Sequence, residues 1–195
     1  MESLGLALHA VERGETLSRI AQRYRIGAGL IGMLNSDVDE SRLSVGQTLK
    51  VLDLSDKSLA IEVHTATYRA FAWKRTPSGG RALVASWTVG LGARETPTPH
   101  GRTVIEKRVL DPQWTHPVTK EVFPPHHPEN ILGGFWIGLS SDGIQKSGIG
   151  FHGYTGDEPA KWLEQPASNG CVRMLQPDVS RLYQLALEGT PVAID

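Results

Sequence analysis

The chain has 195 residues, 21% of them charged, and a formal net charge of −1 at pH 7. This length suits either one medium domain or a small module followed by a domain of about 100–150 residues. The balanced charge gives no support for a nucleic-acid partner. No segment approaches the ~18–20 apolar residues of a membrane helix, and residues 1–10 lack the basic and apolar segments of a secretory signal. We expect a globular protein without a membrane span, and export by the standard route is not encoded in this sequence.

The first 53 residues have a compact pattern. An apolar stretch ends at Val11, a turn follows around Gly14, and Thr16 occupies the position that caps a helix. An apolar face with helical spacing comes next, formed by Leu17, Ile20, Ala21 and Tyr24. A second apolar stretch over 30–34 and a turn plus strand over 43–51 complete the predicted order of strand, helix, helix, strand.

These residues resemble a LysM module, because the chain reads V-x-x-G-E-T-L-x-x-I-A-x-x-Y and later L-x-x-G-Q-x-L-x-V. The resemblance implies a βααβ fold that binds N-acetylglucosamine-containing glycan in a shallow groove between residues 14–17 and 41–45. The alternative is that these residues only form the helix cap and the turn of the small fold. The residues expected to bind glycan are Gly14, Glu15, Thr16, Leu17, Leu43 and Val45.

A short polar linker over 54–58 separates the module, assigned to residues 1–53, from a second domain over 59–195. This domain is predicted to be rich in strands, with a late helix over 178–187 closed by Gly189. The Pro-rich segment 112–128 is predicted to be a long surface loop that acts as a lid. Strands are predicted over 60–65, 68–74, 81–89, 103–109, 135–139, 149–153 and 191–194.

Cys171 is the only cysteine, so an internal disulfide and a cysteine cluster for zinc or iron–sulfur are both excluded. A lone thiol serves either packing or chemistry. Catalysis requires a nearby base or positive potential, because an ordinary thiol with a pKa near ~8.5 is mostly protonated at pH 7. His152, in the run Gly150-Phe151-His152-Gly153, is the candidate base. Gly170 allows backbone amides to approach an attacked carbonyl, where they would stabilise an oxyanion.

The pairing of His152-Gly153 with Ser168-Asn169-Gly170-Cys171-Val172-Arg173 resembles the signature of YkuD-type L,D-transpeptidases. Further agreement comes from the segments 96–101, 111–114, 178–183 and 189–192. The resemblance implies a β-rich α+β protein whose catalytic domain is a mixed β-sandwich. It also implies that Cys171 attacks the carbonyl after the third residue of a peptidoglycan stem tetrapeptide, expels D-alanine and holds a thioester that a second stem's amine resolves.

The resemblance also assigns roles to the residues around Cys171. His152 is expected to accept the thiol proton, the Gly153 carbonyl to orient the imidazole, and amides near Gly170 to hold the oxyanion. Asn169 stands where many relatives have histidine, so a secondary role for that imidazole is absent here. Arg173 either binds the donor stem or braces the cysteine loop, and Ser168 either caps that loop or contacts substrate. Tyr154, Trp114 and Trp136 line the donor cleft or belong to the core.

A metal site is an alternative interpretation of the histidine-rich segment, since imidazole and carboxylate are zinc ligands. The spacing of these residues is not that of a helical or strand-based site, so we expect a flap over the cleft and no metal. The reaction itself needs no cofactor. The residues concerned are His116, His126, His127 and Glu129.

The resulting hypothesis is a wall enzyme that forms 3–3 cross-links, with the LysM module raising its local concentration on peptidoglycan. We expect a monomer at the bacterial cell wall, envelope or spore that carbapenems acylate. Two alternatives remain at this point: a carboxypeptidase or endopeptidase with the same residues, and a non-catalytic wall-binding or spore-coat protein.

Overall fold

The computed structural model describes residues 6–39 and 42–195. Ser41, which belongs to one side of the predicted glycan groove, lies outside the described residues, as does the start of the predicted module. No helix in the described ranges is long and apolar enough to cross a bilayer.

The N-terminal unit has the predicted order of strand, helix, helix, strand. Thr16 caps the first helix by accepting a hydrogen bond from the Arg19 amide at 3.3 Å, and the helix ends where Arg25 adopts the left-handed region with φ 54°. The two strands pair antiparallel, with Ala10 opposite Thr48. The elements are β1 (Leu6–Ala10), α1 (Leu17–Tyr24), α2 (Ala28–Leu34) and β2 (Thr48–Leu52).

The second part of the chain consists mainly of strands, as predicted. Short 3₁₀ turns cover Thr65–Thr67 and Pro159–Lys161. The strands and the helix of this part are β3 (Leu59–His64), β4 (Arg69–Arg75), β5 (Arg81–Thr88), β6 (Leu91–Gly92), β7 (Gly101–Leu110), β8 (Trp114–Thr115), β9 (Val122–Phe123), β10 (Phe135–Leu139), β11 (Gly150–Gly153), β12 (Pro166–Ser168), β13 (Val172–Met174), α3 (Gln176–Leu185) and β14 (Pro191–Ile194).

Eight of these strands form one mixed sheet in the order β13-β11-β10-β7-β14-β3-β4-β5. Two neighbouring pairs are parallel, β11 with β13 and β14 with β3, and the other neighbours run antiparallel. Fully buried side chains such as Ile61, Ile137 and Phe151 project from this sheet into the core. The predicted β-rich α+β fold is confirmed.

Two details differ from the sequence prediction. The late helix begins at Gln176 and ends at Leu185, because Ala186 is already extended, so Gly189 does not cap it. Gly189 instead has φ 84° in the turn that leads into β14. The segment 112–128 is not a plain loop, since it contains the small β8–β9 hairpin.

The N-terminal unit packs directly on α3. The Gly27 amide donates to the Gln184 carbonyl oxygen at 2.6 Å, and the Gly29 amide donates to Gln184 Oε1 at 3.2 Å. A Cβ on Gly27 would lie 2.0 Å from Gln184 Oε1, so only glycine permits this approach. The connecting segment is held as well, because the Leu54 amide donates to the Tyr24 carbonyl at 3.0 Å. The module is therefore docked rather than loosely tethered.

Candidate active site

Two adjacent parallel strands bring the candidate nucleophile and base together. His152 lies on β11 directly opposite Arg173 on β13, and Cys171 immediately precedes β13. In a parallel pair the opposed side chains emerge on the same face of the sheet. Segments that are separated by 18 intervening residues thus meet at the edge of the sheet, which no local pattern could have predicted.

The loop before Cys171 is braced by its own serine. Ser168 is buried, and its Oγ donates to the Cys171 carbonyl oxygen at 2.7 Å and accepts from the Gly170 amide at 3.1 Å. Gly170 has φ 112°, a conformation that side-chain-bearing residues rarely adopt. Both bonds are within the loop, so they favour the capping role considered for Ser168 over substrate contact. Asn169, at the tip of the loop, is exposed.

The His152 imidazole is buried and firmly oriented. Nδ1 is hydrogen-bonded to the Gly153 carbonyl oxygen, and the ring stacks on Trp136 with centroids 5.8 Å apart. A carbonyl only accepts, so Nδ1 carries the proton and Nε2 is left with a free lone pair. Burial, reinforced by the nearby Arg173 charge, lowers the pKa of His152 from 6.5 to about 4. The imidazole is therefore neutral at pH 7.

The Cys171 thiol is also neutral in this arrangement. Burial raises its pKa above the ordinary value, although a backbone contact from Gly150 and the charges of Arg173 and Lys146 act in the opposite direction. The thiol donates to the Gly148 carbonyl oxygen at 3.4 Å rather than to the imidazole. A preformed thiolate–imidazolium pair is disfavoured by both shifts.

Arg173 is held by two contacts near the cysteine loop. Its Nη1 donates to the Ala167 carbonyl oxygen at 3.0 Å, and its guanidinium lies 3.6 Å from the centre of the Tyr154 ring. Tyr154 in turn packs edge-on against Trp162. Tyr154 does not line the cleft that contains Cys171. These contacts correspond to the bracing role considered for Arg173.

Cys171 opens into a cleft of about 570 Å³. Trp114 and Trp136 both contribute to its walls, and Asn169 and Ser168 lie at the cysteine end. Lys107 and Lys146 also line it, although neither was a candidate in the sequence analysis, because an isolated lysine outside a motif carries no signal. Among the described lining residues there is no aspartate or glutamate.

The β8–β9 hairpin forms one wall of this cleft. The rings of Trp114 and Phe123 stack with centroids 5.6 Å apart, and the buried Asn130 amide holds the hairpin through the carbonyl oxygens of Pro112 at 2.9 Å and Pro124 at 3.1 Å. Two of the histidines serve local turns, because His116 Nδ1 accepts from the Thr119 amide and His127 Nδ1 accepts from the Glu129 amide. Within residues 6–39 and 42–195, no three His, Cys, Asp or Glu side chains are grouped as metal ligands.

The structure brings the two described loops of the predicted glycan site to one end of the β1–β2 pair, because the Gly46 amide donates to the Val11 carbonyl oxygen at 2.8 Å. Gly14, with φ 81°, is exposed, and so is Val45. The Glu15 carboxylate is occupied by His9 at 2.7 Å and by the Glu12 amide at 2.8 Å.

The other three predicted glycan-binding residues have structural contacts. Thr16 caps α1, Leu17 is buried in the core, and Leu43 packs partly against it. Of the predicted glycan-binding residues, Gly14, Thr16 and Val45 are the exposed ones.

Comparison with known proteins agrees with this geometry. Residues 58–194 match the family model of the YkuD L,D-transpeptidase catalytic domain, and residues 9–52 match that of the LysM domain. The chain belongs to the family of L,D-transpeptidase catalytic domains and carries an N-terminal LysM domain. A curated relative from Bacillus licheniformis, provisionally named L,D-transpeptidase YkuD, is 25% identical to this chain. The alignment covers 97% of this chain and 99% of the relative.

Solved structures share the fold of the catalytic part. The Enterococcus faecium L,D-transpeptidase superposes with a TM-score of 0.52 at 16% identity over 71% of this chain and 50% of its own. L,D-transpeptidase 3 of Mycobacterium tuberculosis, in complex with a faropenem-derived adduct, gives 0.50 at 14% identity over 71% of this chain and 60% of its own. The chain spans about half to three fifths of these solved chains.

Proposed function

We propose that this protein is a cysteine L,D-transpeptidase that acts on peptidoglycan stem tetrapeptides, with residues 59–195 as the catalytic domain, 1–53 as a glycan-binding module and 54–58 as the linker. The observation that carries this proposal is the position of His152 on β11 and of Cys171 directly before the adjacent parallel strand β13, with both residues lining a 570 Å³ cleft. Membership of the family supports the same reaction class.

In the proposed mechanism the thiol proton moves only when substrate is bound. Both groups are neutral at rest, so the Cys171 sulfur attacks the carbonyl of the third stem residue while His152 Nε2 accepts its proton. The carbonyl oxygen of Gly153 fixes the tautomer by holding Nδ1–H. His152 then returns the proton to the departing D-alanine nitrogen, which leaves the tripeptide as a thioester.

The oxyanion formed in this step requires a backbone donor. The Gly170 amide is already bonded to Ser168 Oγ at 3.1 Å, so we assign the oxyanion to the Cys171 amide, with Gly170 shaping the approach. An amine from a second stem attacks the thioester and gives a 3–3 cross-link, and His152 accepts the amine proton. No step uses a cofactor.

The N-terminal module supports a location at the bacterial wall or spore. Because it is docked on α3 through Gln184, a glycan bound at the Gly14 and Val45 loops would be held at a fixed distance from the catalytic cleft. Binding at one point raises the local concentration of stems at the other. We propose that the protein acts as a monomer on the glycan it binds.

Purified disaccharide tetrapeptide, incubated with the enzyme and analysed by mass spectrometry, tests the reaction. We expect cross-linked dimers and free D-alanine from the unsubstituted protein and neither from Cys171→Ala. Trimmed tripeptides without dimers would instead assign a carboxypeptidase. If Cys171→Ala kept full activity, the nucleophile would be wrong.

A carbapenem gives an independent test of the same thiol. The M. tuberculosis structure with a faropenem-derived adduct supports β-lactam reactivity in proteins of this fold. We expect one covalent adduct per chain, absent in Cys171→Ala, and absence from the unsubstituted protein would contradict the proposed nucleophile. Pull-down on purified wall with and without residues 1–53 tests the module separately.

A further inference from the structure

Lys146 occupies an unusual position at the mouth of the cleft. Its ammonium lies against the cysteine loop, 3.4 Å from the carbonyl oxygens of Pro97 and Asn169. The approach is so close that a Cβ on Gly170 would stand 2.8 Å from Nζ. Both hydrogen bonds are long for a charged donor, so Lys146 retains capacity for a stronger acceptor.

The charge of Lys146 is not neutralised by the protein. In the described part of the chain no carboxylate forms an ion pair with it, and the cleft walls contain three cations, Lys107, Lys146 and Arg173, without an acidic residue. Arg173 is buried, its Nη1 donates to the Ala167 carbonyl and its guanidinium lies on the Tyr154 ring, although its Nε has no partner among the described residues. Of the two cations beside Cys171, Lys146 is therefore the more accessible to a ligand in the cleft.

The proposed substrate has an anion close to the bond that breaks. In a stem tetrapeptide the scissile amide nitrogen belongs to the terminal D-alanine, so one Cα separates that nitrogen from a free carboxylate. An added fifth residue would move the carboxylate ~3.3–3.6 Å farther along an extended chain. A cation fixed against the cysteine loop thus distinguishes a donor by where its chain ends.

Building on the function proposed above, we propose that Lys146 binds the terminal carboxylate of the donor stem and so determines specificity for stems that end one residue after the scissile bond. The ammonium would exchange two long backbone contacts for a charge-assisted hydrogen bond, which is shorter and stronger. Lys146 is then a substrate-binding residue, while the bracing of the cysteine loop remains with Ser168.

Binding to the inert Cys171→Ala protein tests this without requiring turnover. Calorimetry compares a stem tetrapeptide ending in a free D-alanine carboxylate with the same peptide ending in the neutral amide. We expect the acid to bind about tenfold more tightly, which corresponds to ~1.4 kcal/mol. Adding Lys146→Met should bring the ratio close to one, and adding Lys146→Arg should restore much of it.

Lys107→Met is the matched control, because it removes an equal charge from the same cleft. It should keep the acid-to-amide ratio, whatever it does to both affinities together. A purely structural role of Lys146 would weaken acid and amide equally, and that result, or no preference before substitution, would overturn the proposal. A preference for the acid without any turnover by the unsubstituted enzyme would support the carboxylate site and reject the transpeptidase reaction.

Discussion

Acidification should destabilise this protein through His152, a candidate catalytic residue. The imidazole is buried, its pKa is lowered from 6.5 to about 4, and burial is the main cause. In the unfolded chain the ring binds a proton at about pH 6.5, whereas in the folded protein it resists protonation until about pH 4. The stability that depends on the neutral ring is therefore fully present above pH 6.5 and is lost as the pH falls towards 4.

The expected size follows from the two pKa values. Linkage gives a loss of about 2 kcal/mol at pH 5 and about 3 kcal/mol at pH 4, relative to neutral pH. His152→Asn is the matched variant, because its side-chain amide can replace Nδ1–H as the donor to the Gly153 carbonyl but does not titrate. The difference in unfolding free energy between the two proteins should change by these amounts between neutral pH and pH 5 or 4. The carboxylates also titrate in this range, but they are common to both proteins and cancel in the difference.

Urea unfolding followed by tryptophan fluorescence at several pH values between 4 and 8 measures this difference. With a slope of ~2 kcal/mol per molar urea, the loss at pH 5 corresponds to a midpoint shift of about 1 M relative to the variant. Parallel pH profiles for the two proteins would refute the buried neutral imidazole, and with it the proposed neutral resting pair.

Three further expectations concern other features. The rate at which iodoacetamide alkylates Cys171, followed by mass spectrometry, should keep rising with pH beyond the pH range in which ordinary thiols ionise, because burial raises the pKa of the thiol. A rate that levels off below pH 8 would contradict this. Gly170→Ala should lower the free energy of unfolding by about 1–3 kcal/mol in thermal or urea unfolding, since φ is 112°, and it should lower turnover. Unchanged stability and turnover would show that the loop tolerates a Cβ. Gly27→Ala should cost about 1–3 kcal/mol by overpacking against Gln184, with partial recovery in the double variant with Gln184→Ala; no loss would mean that the module is not docked as described.

Local sequence determined the elements whose signals are short-range. The cap at Thr16 and the apolar face from Leu17 to Tyr24 fixed α1, because capping and helical spacing act within a few residues. The glycine of the turn predicted around Gly14 likewise has a positive φ, 81°. The assignment of Cys171 and His152 as a pair rested on the resemblance of their motifs, and the position of His152 on β11 beside the start of the adjacent β13 agrees with it.

Tertiary structure decided the rest, because the forces involved join segments far apart in the chain. Strands β6 and β12 exist only through their mutual pairing, and the limits of α3 depend on where Leu175 and Ala186 leave the helical conformation. The bracing of Arg173 by Tyr154, the docking of Gly27 on Gln184 and the position of Lys146 over Gly170 likewise have no local pattern. The chemical groups of the candidate site were thus visible in the sequence, whereas their protonation, orientation and available charge were set by burial and by contacts that only the folded chain creates.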